Sequence, residues 1–355
     1  MRYRNVIATI TDAVELPRLI HLGEGLYAAS FTLMKLLPAR FILDRARDAR
    51  LLSPGSVIIE TTSGTFGLAL AMLSALRDYR LILVSDSAID DALKDRLEQL
   101  GARVEIVREP AAVGGYQRAR LDRMAELQAE HPDHFWPSQY DNSHNPGSYA
   151  PVAELIAEAI GEIDCLVGAV GSGGSMCGTS AYLRLLNPRL QVVGVDTPGS
   201  VLFGQPDGKR MLRGLGNSLM PRNLDHTQFD EVHWVSAAEA FHATRFLHRN
   251  YALYQGGTSG AAYLVAQWWA RNNPGSKVVV LLPDEGYRYQ HTIYSDDWLR
   301  SNNLLLTEYP AQPRFVDHVE NAMPEWSCFA WGRRTYEQVV GRPFAPSEPL
   351  CAARG

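Results

Sequence analysis

The chain has 355 residues, enough for two domains with separate cores. A hydrophobic content of 46%, a charged content of 21% and a formal charge of −5 are ordinary for a soluble globular protein, and they argue against nucleic acid as the main partner. No apolar run approaches the roughly 20 residues of a bilayer span, and residues 1–9 lack a signal-peptide core, so no membrane partner and a cytoplasmic setting are expected.

In chain order, residues 5–30 hold short apolar pieces and no catalytic pattern. Pro38 suits a first helical turn, and Phe41, Ile42, Ala46 and Ala49 recur at helical spacing up to Leu52. Val57-Ile58-Ile59 reads as a strand. It runs into Glu60-Thr61-Thr62-Ser63-Gly64-Thr65-Phe66-Gly67 and then a helix. This hydroxyl-and-glycine loop reads as an anion site, or as a helix N-cap through Thr62 or Ser63; the two readings are compatible. Strand Leu81–Val84, helix Ile89–Leu100, strand Arg103–Val107 and helix Gly115–Glu130 follow. Such alternation predicts a parallel sheet with right-handed crossovers.

Residues 131–147 carry His131, His134 and His144 among prolines, a natural domain junction. Their spacing fits no short ligand pattern, so they read as loop residues and no metal is expected. The alternation resumes with helix Val152–Ile160 and strand Leu166–Val170. Gly171-Ser172-Gly173-Gly174-Ser175 comes next, before a helix from Met176 to Leu186. Strand, glycine-rich turn and helix turn successive N–H groups toward an anion, so the loop reads as a phosphate cradle. It is neither a Walker loop nor a dinucleotide fingerprint. The alternative is a turn that only connects strand to helix. Gln255-Gly256-Gly257-Thr258-Ser259-Gly260 is a third hydroxyl-and-glycine turn, and strand Val278–Leu282 ends at Pro283-Asp284-Glu285-Gly286. The tail from Pro310, rich in proline and aromatics, is expected to pack on a neighbour or a second subunit.

The cysteines Cys165, Cys177, Cys328 and Cys351 form no Cys-x-x-Cys and read as reduced structural thiols. Lysines are scarce: Lys35, Lys94, Lys209 and Lys277. Arginine stays protonated, so any amine chemistry has these four candidates. Lys94 reads as a solvated helix-face residue, Lys209 lies in a turn and Lys277 precedes a strand.

Five segments in this order resemble the fold-type-II pyridoxal phosphate (PLP) enzymes, in particular the cysteine synthase and cystathionine β-synthase family. Thr62-Ser63-Gly64-Thr65-Phe66-Gly67 resembles that family's Thr-Ser-Gly-Asn-Thr-Gly loop. Gln139-Tyr140-Asp141-Asn142-Ser143-His144-Asn145-Pro146 resembles its Gln-Phe-x-Asn-Pro-x-Asn-Pro segment. Gly171–Ser175 matches Gly-Thr-Gly-Gly-Thr, Gly256–Gly260 matches Gly-x-Ser-Ser-Gly, and Pro283–Tyr289 matches Pro-Asp-Ser-Gly-Glu-Arg-Tyr. The similarity covers roughly residues 5 to 305. Glu109-Pro110…Gly114-Gly115-Tyr116, Gly199–Gly204 and Tyr294–Leu299 resemble a narrower branch. That branch includes the synthase making N-(2-amino-2-carboxyethyl)-glutamate. Most of the family's motif before its lysine is missing here, and Thr65 replaces its Asn.

The resemblance implies an α/β fold of two domains, each a mostly parallel sheet flanked by helices, like the tryptophan synthase β chain. The expected division is an N-terminal segment 1–45, a small mobile substrate-binding domain 46–147, a large PLP-binding domain 148–309 and a C-terminal extension 310–355. The cofactor would be pyridoxal 5'-phosphate and the assembly a homodimer. Lys35 would form the imine and act as general base. Thr65, Gly171, Ser172, Gly173, Gly174, Ser175 and Thr258 would hold the cofactor, with the Thr258 hydroxyl at the pyridine nitrogen. Thr62, Ser63, Gly64 and Gln139 would bind the substrate carboxylate. Arg213, in the loop facing the active-site mouth, would either meet a phosphate leaving group or pair with a nearby acid as a surface arginine. Three activities stay open: β-elimination and β-replacement on O-phosphoserine or O-acetylserine, condensation with an amine such as glutamate, or a non-catalytic family member.

Overall fold

The computed structural model describes residues 6–346, apart from 63, 88, 113, 114 and 213. The described residues divide into two units: residues 6–15 with 35–145, and residues 16–34 with 146–346.

Two hairpin strands open the second unit, β1 (Arg18–Gly23) and β2 (Leu26–Ser30). In the first unit lie β3 (Val57–Thr61), β4 (Arg80–Asp86) and β5 (Arg103–Val107). The second unit adds β6 (Cys165–Ala169), β7 (Gln191–Asp196), β8 (Glu231–Trp234), β9 (Val278–Leu282), β10 (Arg314–Phe315) and β11 (Ser327–Ala330). The first unit is a three-stranded parallel sheet in the order β3-β4-β5. Helices Thr65–Arg77, Asp91–Gln99 and Gly115–Glu130 flank it. Met124 and Leu127 pack on Val57, Ile59, Ile82 and Val84. Thr9 caps the first short helix, and Arg40 pairs with Asp12 at 2.8 Å and Glu15 at 3.2 Å, which ties residues 9–15 to helix Leu36–Asp48.

The second unit is an eight-stranded sheet in the order β1-β2-β9-β6-β7-β8-β11-β10. The run β2-β9-β6-β7-β8 is parallel throughout. Within it, strand β9 (Val278–Leu282) is buried at all five positions, which is why it reads as a continuous apolar run. Helix Gly257–Asn272 is buried along most of its length against this core.

The sheet gives a place to two stretches that the sequence left without an element. The short apolar pieces near the N-terminus are the β1–β2 hairpin, with β2 in parallel register on β9. The tail packs on its own chain: β11 pairs antiparallel with β8, and Trp326 and Trp331 are buried. An edge strand exposes unpaired backbone groups, and β8 meets that need with the tail. The predicted strand over 166–170 is shifted by one residue, and the following helix starts at Gly174 rather than Met176.

Candidate functional site

In the second unit, β6 delivers the chain to Gly171–Ser175. Gly173 stands at φ +82 and precedes helix Gly174–Leu183 as its N-cap, so the first helical N–H groups follow the loop directly. A Cβ on Gly173 would lie 2.7 Å from Leu224 Cα and 2.8 Å from both Asn223 O and Leu224 N. Both the left-handed backbone and this close approach demand glycine. A Cβ on Gly171 would lie 3.3 Å from Gly214 O, and one on Gly214 would lie 3.5 Å from Thr258 Oγ1. Gly214 therefore links the cradle to Thr258, the second residue of helix Gly257–Asn272. The Gly216 amide donates to Val170 O at 2.9 Å and holds the same loop against the end of β6.

Asp196, at the end of β7 beneath this loop, escaped the sequence reading. It is fully buried. Its Oδ1 accepts the Thr197 amide at 2.8 Å, the Ser200 hydroxyl also donates to it, and Oδ2 has no partner among the described residues. Desolvation pushes its carboxyl up to about 7. Ser200 in turn accepts the Asn217 amide at 3.1 Å, so the acid anchors the 214–218 segment. Arg213, predicted to face a leaving group, lies outside the described residues, as does Ser63.

In the first unit, Lys35 is the N-cap of helix Leu36–Asp48 and its carbonyl accepts the Ala39 amide at 3.2 Å. It is half-buried, and desolvation lowers its ammonium to about 8, which raises its share of free amine near neutral pH. Lys94 is shifted the other way by its bond to Glu98 at 2.7 Å, the solvated helix-face pair expected. Lys277 donates to Ile160 O at 2.9 Å and Lys209 is exposed. Thr62 is buried, its amide bound to Val84 O at 3.1 Å, and its hydroxyl accepts the Gly64 amide at 3.2 Å. Gly64 is the N-cap of helix Thr65–Arg77, so Thr65 begins that helix. Gln139 is brought to the end of β3: its amide donates to Glu60 Oε2 at 3.3 Å, and its carbonyl accepts Asn145 Nδ2 at 2.6 Å. Glu60 is the second residue that sequence reasoning missed. An acid inside the buried run Val57–Thr61 was its signal.

Glu231, His233 and Cys328 place potential metal donors within 4.8 Å of one another. The Trp326 indole donates to His233 Nδ1 at 3.0 Å, which leaves the ring proton on Nε2, facing Glu231 at 3.4 Å. Neither nitrogen offers a lone pair, and burial pushes the Cys328 thiol up, so these residues do not fit a metal. His131 and His134 lie beyond helix Gly115–Glu130, with His134 Nδ1 bonded to His131 O at 2.7 Å. The described cysteines Cys165, Cys177 and Cys328 are free and buried.

In the second unit, a glycine loop whose Gly173 admits no Cβ, with a neutral hydroxyl nearby, fits a phosphate group; in the first unit, Lys35, shifted toward the free amine, fits an aldehyde. The comparisons agree. A family model described as pyridoxal-phosphate dependent enzyme matches residues 28–284. The chain is 34% identical over 301 residues to the N-(2-amino-2-carboxyethyl)-L-glutamate synthase of Cupriavidus metallidurans, covering 81% of this chain and 88% of that protein. Among solved structures, the O-acetylserine dependent cystathionine β-synthase from Helicobacter pylori is 26% identical, with a TM-score of 0.75 over 82% of this chain and 100% of the other. An O-ureido-L-serine synthase is 25% identical, with a TM-score of 0.73 over 83% of this chain and 100% of the other. The family match over residues 28–284 and the likeness over about four-fifths of the chain show that the chain belongs to the pyridoxal-phosphate dependent enzymes, with the fold of the cysteine synthase-like fold-type-II group.

Proposed function

We propose that this protein catalyses β-elimination and β-replacement on an O-activated L-serine, giving cysteine or a related β-substituted amino acid. The observation that carries the reading is the placement of the Thr258 hydroxyl beside Gly214 and the cradle Gly171–Ser175. A neutral hydroxyl at the cofactor ring leaves the ring nitrogen unprotonated, and the bound cofactor then supplies an electron sink suited to elimination rather than transamination.

Each residue has a role of its own. The N–H groups after Gly173, with the Ser172 and Ser175 hydroxyls, bind the phosphate dianion. Lys35 would hold the cofactor and take the α-proton on Nζ; an amine lowered to about 8 is matched to that task. Thr62, Ser63, Gly64 and Gln139 bind the substrate carboxylate, and Thr65 lies against the cofactor. Arg213 recognises a phosphate leaving group, because a guanidinium meets phosphate with paired, charge-assisted hydrogen bonds. That contact is worth about 1.5–3 kcal/mol, or roughly 10- to 150-fold in affinity. O-phosphoserine is therefore preferred to O-acetylserine. The protein works as a homodimer, which light scattering tests.

The experiment is the release of phosphate from O-phospho-L-serine and of acetate from O-acetyl-L-serine, followed by a screen of acceptors. Release from neither substrate overturns the reading. A wild type that prefers O-acetyl-L-serine, or an Arg213→Gln variant with unchanged preference, overturns the phosphate assignment alone. A second reading, condensation with an amino acid amine such as glutamate, is favoured by the 34% identity to a synthase whose product carries a glutamate amine. Glutamate consumption in the acceptor screen decides between sulfur and amine nucleophiles.

A further inference from the structure

Glu60 ends β3 one residue before the hydroxyl loop and is 1% exposed. Its Oε1 accepts the Thr61 amide at 2.8 Å and the Trp136 indole N–H at 3.1 Å. Its Oε2 accepts the Gln139 amide at 3.3 Å, and the Ser138 amide also donates to the carboxylate. Every one of these neighbours is a donor. An ionised carboxylate is acceptor-only on both oxygens, whereas a carboxamide has one acceptor oxygen and would turn its own N–H groups against donors. The site is built for an anion.

That anion is held at a cost, because desolvation pushes the carboxyl up to about 7. Among the described residues no ion pair neutralises it. Opposite Glu60 in the sheet stands apolar Leu83, while Met124 and Leu127 of the covering helix pack on the other face, against Ile59 and Val84. The titratable neighbours are Tyr140, which feels both Glu60 and Arg120, and Arg120 itself, paired with Asp86 at 3.4 Å. A chain that needed only to end a strand here would not retain a buried acid facing donors 76 to 79 residues away.

We propose that Glu60 is a positioning residue for the substrate carboxylate: as an anion it gathers the amides of Ser138 and Gln139 against the start of the 61–65 loop, and so sets Gln139 relative to Thr62. The inference rests on the reading above, in which Thr62 and Gln139 bind that carboxylate. It predicts an affinity that depends on the ionisation of a residue which never touches substrate. Below about pH 7 the protonated acid gives up an acceptor, the segment loosens and KM rises.

The test uses Glu60→Gln in the holoenzyme. The expected result is a retained cofactor absorbance band, a KM for the O-activated serine raised about tenfold or more, and a kcat within about threefold of wild type. In the wild type kcat/KM falls as pH drops through about 7, and that inflection is missing from the variant. Trp136→Phe is the milder probe: removing one donor moves the inflection upward. A readout free of turnover is the Trp136 indole and Gln139 amide resonances, which shift together with one midpoint in wild type and not in Glu60→Gln. A wild type that reacts while Glu60→Gln keeps its KM, or keeps the same inflection, overturns this proposal alone. A wild type that releases neither phosphate nor acetate overturns the substrate reading and this proposal with it.

Discussion

Gly173→Ala concentrates the structural argument for the cradle in one methyl group. Gly173 holds φ +82, a conformation that costs an L-residue about 1–2 kcal/mol. The new Cβ would stand 2.7–2.8 Å from three backbone atoms of Asn223 and Leu224, none of which can rotate away. Overpacking of this kind costs about 1–3 kcal/mol. Together the two terms give about 2–5 kcal/mol, which for a unit of this size is a fall in Tm of roughly 5–15 °C. If the loop relieves the clash by moving, the N–H groups of Gly174 and Ser175 leave their places and the cofactor loses about tenfold in affinity for each 1.4 kcal/mol. The assays are thermal denaturation with and without cofactor, and retention of the absorbance band at roughly 410–420 nm during dialysis. Gly64→Ala is the control, because that glycine has φ −137 and a Cβ there meets nothing within 4 Å. Cofactor affinity within threefold of wild type in Gly173→Ala would refute the reasoning, and so would an equal loss in Gly64→Ala. Gly173→Asp adds an anion beside a dianion and should lose the cofactor more completely still.

Other outcomes follow from the same structure. Lys35→Ala should abolish the absorbance band, and borohydride reduction of the wild type should label Lys35; a label on Lys94, Lys209 or Lys277 would defeat that assignment. Asp196→Asn should stabilise the protein at alkaline pH. With a folded carboxyl near 7 against an ordinary 3.8, the acid's stabilising contribution is fully present below about pH 4 and is lost as pH rises through about 7. The gain should therefore approach about 4 kcal/mol at pH 8 and vanish near pH 4; a difference that does not grow with pH rules the argument out. Trp331→Ala should destabilise the second unit by about 3–5 kcal/mol, measured by denaturant unfolding. That indole is buried, stacks on His226 at 5.3 Å, meets Phe203 at 5.2 Å, and donates to Arg334 O at 2.7 Å. A loss below about 1 kcal/mol would show that the tail is not part of the core.

Local signals in the sequence carried much of this protein. Val57–Ile59 and Val278–Leu282 are apolar runs of strand length, buried on both faces, and their pattern survives without knowledge of their neighbours. Gly171–Ser175 is recognisable because a left-handed turn before a helix is written in glycine. Scarcity of lysine left four candidates, among which the family resemblance pointed to Lys35 before its desolvated ammonium was visible. The tertiary structure alone decided what depends on partners far along the chain. The β1–β2 hairpin acquires its place only by pairing with β9, and β11 only by pairing with β8. Gly173 is doubly constrained because the Asn223–Leu224 backbone passes over it. Asp196 carries no spacing that marks it, and Glu60 only its place as an acid inside an apolar strand. Their meaning comes from Trp136 and Gln139 in one unit, and from Ser200 in the other. Propensity and spacing act over a few residues, whereas the desolvation and hydrogen bonding that set a buried acid's charge are fixed only when distant segments close around it.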